Sequence, residues 1–252
     1  MRKVFYILFL LTGVFGYTQQ NNPLFIAHRG GMVQGIPENS SMAFQNCIDK
    51  DVAMIETDVR LTKDNEMVLF HDASLLRMTK VDGLLSDYTL AELQTLSLGE
   101  NQKIPSLKKA LSLLQTTNVK LLLDIKEKQL DHKVLFELLE EYKMKDRVYI
   151  GVRSLTDLKL CKSLDAEVKV LGFIPGPEDL NDFVIHKADA IRIWPKWVKK
   201  SPSLISEVTQ NGIPVWTTVG TLKTKGIKKL VKQGASGFIH DTPVKAQTAF
   251  LK

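Results

Sequence analysis

Apolar residues in this chain form short runs that alternate with amphipathic segments of helical length. The first run is LFIAH, and the segment SSMAFQNCIDK that follows it places Met42, Ala43, Cys47 and Ile48 at helical spacing. The runs are apolar at nearly every position, as expected for strands of a parallel sheet whose two faces are both buried. Eight runs are predicted to be strands: LFIAH, AMIETDV, VKLLLDI, RVYIGV, EVKVLGF, ADAIRIW, IPVWTTV and SGFIH.

Helical segments lie between most of these strands. They are SLKKALSLLQ, DHKVLFELLEEYK, SLTDLKLCKSL, SPSLISEVTQNG and TKGIKKLVKQG. An α/β chain in which a strand and a helix alternate through eight strands favours a closed (β/α)8 TIM barrel, with an open doubly wound sheet as the alternative. Residues 21–252 are expected to form this barrel as a single domain.

A ninth apolar run, EMVLFHD, does not fit the alternation. It follows the second predicted strand after only the short polar turn TKDN, which leaves no room for a crossover helix. The run is therefore predicted to fold back as a β-hairpin, which returns His71 to the neighbourhood of Glu56 and Asp58. Residues 73–105 are expected to form a compact cap after this hairpin.

The N-terminus has the pattern of a signal peptide. Arg2 and Lys3 precede an apolar run from Val4 to Leu11, after which small and polar residues follow. The apolar run is shorter than the roughly 20 residues that a bilayer span requires. We expect residues 1–20 to be a cleaved signal peptide, the mature protein to be periplasmic or secreted, and no stable membrane insertion of the mature chain.

Composition and charge narrow the functional classes. A hydrophobic content of 44% with 25% charged residues is typical of a folded globular protein. The formal net charge of +6 is carried by scattered lysines that are not interleaved with aromatic residues, which gives little support to nucleic-acid binding. Cys47 and Cys161 each lie on the apolar face of a predicted helix, so both are interpreted as buried free thiols.

Three carboxylates lie in otherwise apolar strands. Glu56 and Asp58 share a face of the second strand, and Asp124 lies near the end of VKLLLDI. Buried carboxylates need a compensating cation, which could be Arg29 or Lys126 in a structural salt bridge. The alternative is a divalent metal ion, and an all-oxygen ligand set favours Mg²⁺ or Ca²⁺ over zinc.

Two histidines lie beside these acids. His28 ends the first strand and His71 ends the hairpin, and a pair of imidazoles at such positions can act as general acid and general base. The other histidines are interpreted differently: His132 and His186 as surface residues, and His240 as the end of the last strand with Asp241 as its only patterned neighbour.

The order of these motifs resembles that of the glycerophosphodiester phosphodiesterase family. HRGGMVQGIPENSSMAF resembles the family's His-Arg-Gly and Pro-Glu-Asn blocks, and IETDVRLTKDNEMVLFHD resembles its Glu-x-Asp hairpin that ends in His-Asp. YTLAELQTL, IPSLKKAL, LLLDIK, VWTTV and GASGFIHDTP continue the likeness in order.

The resemblance implies a metal-dependent enzyme of lipid metabolism that hydrolyses glycerophosphodiesters to glycerol 3-phosphate and an alcohol through a cyclic phosphate. Either histidine could be the base in the first step. The resemblance also implies a role for each site residue: catalytic His28 and His71; metal ligands Glu56, Asp58 and Asp124; substrate-binding Arg29, Lys126 and Trp216. Glu38 is expected to orient the site or to join the metal shell, and Asn39 or Ser40 to cap the first helix.

The chain departs from the family pattern at a few positions. Asp124 stands where many members carry Glu, and its shorter side chain leaves the identity of the metal open. Trp194 is expected to line the pocket, and Trp197 to pack in the core. Two other functions stay open: a lysophospholipase D or phosphodiester lyase that acts on lipids, and a barrel that binds phosphodiesters without turning them over.

Overall fold

The computed structural model describes residues 22–252, and it places the strands in one closed sheet. The predicted signal peptide lies outside the described residues. The strands are β1 (Leu24–Ala27), β2 (Met54–Leu61), β3 (Met67–Leu69), β4 (Lys120–Ile125), β5 (Val148–Val152), β6 (Lys169–Gly172), β7 (Ala190–Arg192), β8 (Val215–Gly220) and β9 (Ala235–His240).

Helices lie between the strands, and most of them pack against the outer face of the barrel. They are α1 (Ser41–Asp49), α2 (Leu76–Thr79), α3 (Leu90–Leu93), α4 (Leu107–Leu114), α5 (His132–Glu141), α6 (Leu155–Leu164), α7 (Leu180–Ile185), α8 (Pro195–Lys200), α9 (Leu204–Thr209), α10 (Thr224–Lys232) and α11 (Pro243–Leu251). Six helices agree with the predicted helical segments: α1, α4, α5, α6, α9 and α10. Helices α2, α3, α7, α8 and α11 have no counterpart among the predicted helices.

The sheet closes into a barrel because β1 pairs in parallel with both β2 and β9. The remaining strands follow in the order β2, β4, β5, β6, β7, β8, β9, and each neighbouring pair among them is parallel. The predicted TIM barrel is thereby confirmed, and the open sheet is excluded. Parallel strands direct their C-terminal ends to one rim of the barrel, where loops enclose a concave mouth.

The predicted hairpin is also confirmed. Strand β3 pairs antiparallel with β2, with Val59 opposite Leu69 and Leu61 opposite Met67. The cap that follows has a small apolar cluster of its own, made of Val68, Phe70, Leu75, Leu85, Leu93, Leu98 and Ile104. The hairpin and cap therefore share one apolar cluster and form one unit, and His71 of this unit lines the mouth of the barrel.

The apolar core has two main parts. The larger part lies between the strands and the surrounding helices, and it includes both buried cysteine thiols, as expected from sequence. The smaller part fills the barrel interior with Ile26, Met54, Leu122, Leu171, Phe173, Ala190, Trp216 and Ile239. Among residues 22–252, no helix has the length and apolarity that a membrane crossing needs.

Candidate active site

The mouth at the C-terminal rim of the barrel contains a pocket of about 190 Å³ that is lined mainly by polar and charged side chains. The lining residues are His28, Arg29, Glu56, Asp58, His71, Asp124, Lys126, Arg153, Phe173, Arg192, Trp194, Thr218 and Ile239. All the predicted catalytic and metal-binding residues therefore lie in one cavity, together with Arg29 and Lys126.

The three predicted acids converge at this rim. The parallel register of β2 and β4 pairs Asp58 directly with Asp124, and Glu56 lies on the same face of β2. One carboxylate oxygen from each residue lies within 4.8 Å of the other two. All three side chains are buried, so their charges are poorly solvated by water.

Salt bridges account for two of these acids. The ammonium of Lys126 lies 2.8 Å from Asp58 Oδ1 and also contacts Asp124, and Arg29 Nε lies 3.5 Å from Asp58 Oδ2. Arg153 Nη1 lies 2.5 Å from Asp124 Oδ1. Burial would raise the pKa of Asp58, but Lys126 and the Asn39 amide outweigh it and hold that pKa below its ordinary value.

Glu56 is different, because no cationic side chain among residues 22–252 pairs with it. Its partner is the backbone N–H of Arg29, which donates to Glu56 Oε2 at 2.9 Å. Burial, reinforced by the charges of Asp58 and Asp124, raises the pKa of Glu56 to about 8. The salt-bridge alternative thus leaves one carboxylate uncompensated, and three converging carboxylates fit a hard divalent cation that takes oxygen ligands.

A tight turn after β1 orients His28. Arg29 has a φ of 53°, a left-handed conformation that is uncommon for residues other than glycine, and this turn directs its N–H towards Glu56. Gly30 follows with a φ of 83°, and a Cβ at this position would lie 2.7 Å from the Cβ of Ala43. The close approach of the turn to α1 therefore requires glycine.

His28 is held by a carboxylate from the last strand end. Its Nδ1 lies 2.6 Å from Asp241 Oδ1. Burial lowers the pKa of the imidazole, but the hydrogen bond to Asp241 and the charge of Glu56 outweigh it, so the pKa of His28 is raised. Fixing Nδ1 in this way leaves Nε2 as the nitrogen available for proton transfer.

His71 has an equivalent partner. Its Nδ1 lies 2.8 Å from Asp72 Oδ1, and Arg77 of the cap donates from Nε to Asp72 Oδ2 at 2.5 Å. Arg77 also reaches Glu38 Oε1 at 2.6 Å, and Arg29 Nη1 donates to the same oxygen at 3.1 Å. Glu38 therefore links the cap to the β1 turn, which fits the expected orienting role; its carboxylate is engaged by arginines.

The helix cap was assigned to two neighbouring residues from sequence, and only one of them forms it. Ser40 accepts a hydrogen bond from the backbone N–H of Ala43 and caps α1. Asn39 instead donates from Nδ2 to Asp58 Oδ2 at 2.9 Å and accepts from Thr57 at 2.7 Å. The prediction of Asn39 as a cap is wrong, because its side chain is buried against β2 and supports a site carboxylate.

The tryptophans divide between the mouth and the core. Trp194 lines the mouth and Trp197 packs against the larger core, as expected. Trp216 lies lower, in the barrel interior, with its ring centroid 4.9 Å from that of Tyr149, and it is not among the residues that line the mouth. Its position does not match the predicted substrate contact. Thr218, on the same inward face of β8, reaches the mouth instead.

The other three histidines do not line the mouth. His240 lies behind the rim, where Nε2 is 3.1 Å from the carbonyl oxygen of Leu222 and Nδ1 accepts from the N–H of Thr242. His186 is partly exposed at the end of α7. The interpretation of His132 as a surface residue is wrong: it is buried at the start of α5, with 4% of its surface exposed.

Four site residues were missed from sequence. Asp72 and Asp241 hold the two histidines, while Arg153 and Arg192 line the mouth from the strand ends of β5 and β7. The sequence carried a signal for both arginines, since each lies at or just after a strand that the barrel directs to the rim. Asp241 had the same signal, but its pairing with a residue 213 positions away depends on the closure of the barrel.

Comparison with known proteins gives consistent matches over most of the chain. Residues 28–245 match the model of the glycerophosphoryl diester phosphodiesterase family. A glycerophosphodiester phosphodiesterase of Caldanaerobacter subterraneus subsp. tengcongensis is 27% identical, over 87% of this chain and 94% of the relative. A lysophospholipase D of Rattus norvegicus is 26% identical, over 87% of this chain and 83% of the relative.

A solved structure gives the same result. The crystal structure of a glycerophosphoryl diester phosphodiesterase from Parabacteroides distasonis aligns with a TM-score of 0.78 and 25% identity, over 92% of this chain and 87% of that one.

Proposed function

Because the chain belongs to the glycerophosphoryl diester phosphodiesterase family, we propose that it hydrolyses glycerophosphodiesters to glycerol 3-phosphate and an alcohol with the help of one divalent cation, Mg²⁺ or Ca²⁺. Family membership makes the protein a phosphodiesterase by class. The observation that carries the proposal is the convergence of two carboxylate-held histidines and three buried acids in one mouth at the barrel rim.

In this proposal Glu56, Asp58 and Asp124 hold the cation. A divalent cation at these carboxylates supplies Lewis-acid stabilisation of negative charge on phosphate oxygens. Arg29, Lys126 and Arg153 surround the same acids and add positive charge to the part of the mouth where a phosphodiester would bind. A preorganised set of charges of this kind stabilises the transition state without having to reorganise during the reaction.

His28 and His71 are the proposed general acid and general base. One imidazole takes the proton of the glycerol hydroxyl next to the phosphoester, the hydroxyl oxygen forms a bond to phosphorus, and the bond from phosphorus to the alcohol oxygen breaks. The other imidazole gives its proton to the departing alkoxide. The resulting cyclic phosphate is opened by water, with the two histidines exchanging roles.

The carboxylates Asp241 and Asp72 support this proton transfer. Each accepts from, or pairs with, the Nδ1 side of its histidine, which keeps the ring oriented and stabilises the imidazolium form. Arg77 is then a positioning residue, since it acts on His71 through Asp72 and touches no reacting atom.

The test is release of glycerol 3-phosphate from glycerophosphocholine, glycerophosphoethanolamine and glycerophosphoglycerol by the mature protein. The protein is first treated with EDTA, and Mg²⁺ and Ca²⁺ are then added separately. We expect turnover to vanish with EDTA and to return with at least one cation. A folded protein without turnover under any of these conditions would contradict the proposal and favour a non-catalytic phosphodiester-binding barrel.

A second candidate function is hydrolysis of lysophospholipids, and an apolar surface beside the mouth favours it. A groove of about 470 Å³ runs from Gly31 and Asp241 towards Cys47, and Met32, Val33 and Val244 at this groove are 55%, 43% and 39% exposed. An acyl chain could lie there while the phosphodiester reaches His28. Product analysis with lysophosphatidylcholine decides: choline together with lysophosphatidic acid supports a lysophospholipase D, and choline together with a cyclic phosphate that accumulates supports a lyase.

We further propose that the protein is exported and acts in the periplasm or outside the cell as a single domain of residues 21–252. The support is the sequence pattern of residues 1–20. Intact-mass measurement of the protein recovered from the periplasm or medium tests this. A recovered mass that includes residues 1–20, or recovery only from the cytoplasm, contradicts it.

A further inference from the structure

Arg192 lies on the side of the mouth opposite the acids. It is the last residue of β7, and its side chain lines the mouth together with Phe173, Trp194 and Thr218. In the closed strand order, the same number of strands separates β7 from β2 in either direction around the barrel. Arg192 therefore faces the mouth across from Glu56 and Asp58.

The guanidinium of Arg192 has no carboxylate partner among the described residues. Its Nε and Nη1 are buried and find no hydrogen-bond acceptor in that part of the chain, and the whole residue is 6% exposed. The other cations of the mouth differ in this respect: Arg29 pairs with Glu38 and Asp58, Lys126 with Asp58 and Asp124, and Arg153 with Asp124. Their charges are engaged by the acids, whereas that of Arg192 is not.

Aromatic rings hold Arg192 in this position. Its guanidinium carbon lies 4.1 Å from the ring centroid of Trp194, 5.4 Å from that of Phe173 and 5.7 Å from that of Trp197. Contact with aromatic faces favours the cation and fixes the plane of the guanidinium, but ring faces accept no strong hydrogen bonds. The N–H donors of Arg192 therefore remain available to a ligand in the mouth.

A buried cation without a partner is unfavourable in the protein alone. Burial lowers the pKa of Arg192 to about 10, so the guanidinium is still charged at neutral pH. Leaving such a charge without hydrogen bonds destabilises the folded chain, and a bound oxyanion would remove that penalty by accepting from Nε and Nη1. A buried side chain that destabilises the free protein and gains its partners only from a ligand is typical of a binding site.

The size of the mouth brings a substrate within reach of both sides. A pocket of about 190 Å³ is smaller than the roughly 300–1,000 Å³ usual for small-molecule sites, so little space separates the acids from the opposite wall. A phosphodiester bound next to the proposed cation site of Glu56, Asp58 and Asp124 would place its own oxygens, or the groups next to phosphorus, against Arg192.

We propose that Arg192 is a substrate-binding residue that donates hydrogen bonds to an oxyanion of the substrate from the wall opposite the acids. The inference rests on the proposed phosphodiesterase function and adds a contact that the sequence did not predict. The oxyanion has two possible sources: the reacting phosphate, or a second anionic group on one arm of the diester.

The experiment compares Arg192→Met and Arg192→Lys with the wild type on glycerophosphocholine, glycerophosphoglycerol and glycerophosphoserine, and measures glycerol 3-phosphate binding by calorimetry. For Arg192→Met we expect KM or Kd to rise by about 10- to 100-fold, the range of a hydrogen bond to a charged group. Arg192→Lys should recover part of the loss. Tm of Arg192→Met should stay the same or rise, because the substitution removes an unpaired buried charge.

The pattern of the loss identifies the source of the oxyanion. An equal rise of KM for all three diesters, with weaker glycerol 3-phosphate binding, assigns Arg192 to the reacting phosphate. A rise confined to glycerophosphoserine assigns it to a second anionic group. Unchanged KM and Kd for Arg192→Met, or a loss that accompanies a lowered Tm and is not recovered by Arg192→Lys, overturns the inference.

The matched control is Arg147→Gln. Arg147 is far from the mouth, and its guanidinium donates to the carbonyl oxygens of Leu114, Thr117 and Gln115 at the end of α4. It should lower Tm and leave KM unchanged. If the wild type turns over none of the diesters, the proposed function has failed, and glycerol 3-phosphate binding by the wild type and Arg192→Met still judges anion binding by Arg192.

Discussion

Two successive layers of inward-facing side chains in this barrel are made by the same strands but have opposite chemistry. The lower layer is apolar and contains Ile26, Met54, Leu122, Leu171, Ala190 and Trp216. The layer above it, on the same faces of the same strands, contains His28, Glu56, Asp124, Phe173, Arg192 and Thr218. Since side chains alternate along a strand, each residue of the upper layer follows its lower partner by two positions.

The difference between the layers indicates that the lower layer serves stability and the upper layer serves function. Lower-layer side chains fill volume and need only a good fit with their neighbours. Apart from Phe173, the upper-layer side chains are polar and buried or partly buried, so each needs a specific partner, and Glu56 and Arg192 have none of opposite charge among residues 22–252. Substitutions in the lower layer should therefore lower the free energy of unfolding, and substitutions in the upper layer should change catalysis or ligand binding.

The largest expected effect is the loss of either catalytic histidine. We expect His28→Ala and His71→Ala each to lower kcat by about 10²- to 10⁴-fold, the contribution of a positioned acid or base, while Tm changes little. Steady-state release of glycerol 3-phosphate measures the effect. His186→Ala, at the end of α7, is the control and should keep wild-type turnover. A variant of His28 or His71 that retains most of kcat would falsify the assignment.

The second prediction concerns Glu56 and pH. The folded pKa of Glu56 is about 8 against an ordinary value of 4.5, so the metal-free folded state holds a proton that the unfolded state has lost. The free energy of unfolding should fall as pH rises from about 4.5 to about 8, by at most about 1.4 kcal/mol per pH unit from this group. Urea unfolding in EDTA at a series of pH values measures the slope.

Glu56→Gln should remove this contribution to the slope and weaken binding of Mg²⁺ and Ca²⁺, as seen by calorimetry. The amide keeps the shape of the side chain but does not ionise, so it never carries the negative charge that is costly to bury. An identical pH slope in variant and wild type would show that Glu56 is not the group responsible.

The third prediction moves to the lower layer. Leu122 is fully buried, and it precedes Asp124 on the same face of β4. Leu122→Ala should destabilise the protein by about 2–5 kcal/mol through lost burial and the cavity that remains. Below its Tm, the folded variant should retain kcat within a few-fold. A large loss of kcat with an unchanged free energy of unfolding would contradict the separation of the two layers.

Much of this architecture could be predicted from sequence, because it depends on local patterns. The eight apolar runs and the short TKDN turn were sufficient for the barrel and the hairpin, since a turn of that length permits only antiparallel return. His28, Glu56, Asp58, His71 and Asp124 could be grouped because each lies at the rim end of a predicted strand.

The rest depends on contacts between distant parts of the chain. Asp241 reaches His28 because β9 lies next to β1 in the closed barrel, and strand spacing alone does not show which loops meet. Trp216 and Thr218 share a face of β8, and only the depth of each side chain along the barrel axis separates an interior residue from one at the mouth. The burial of His132 likewise follows from the packing of α5.

The smallest expected effects concern two adjacent residues before α1, one that supports stability and one that supports the site. Ser40 caps the helix through Ala43, so Ser40→Ala should lower the free energy of unfolding by about 1 kcal/mol and leave the affinity for Mg²⁺ or Ca²⁺ unchanged. Asn39 donates to Asp58 Oδ2, so Asn39→Ala should weaken cation binding by about 10- to 100-fold, as for other residues that orient a metal ligand. Calorimetric titration and urea unfolding of both variants separate the two roles. If both substitutions weakened cation binding equally, the cap and the carboxylate support would be one unit, and the assignment of separate roles to neighbouring residues would be wrong.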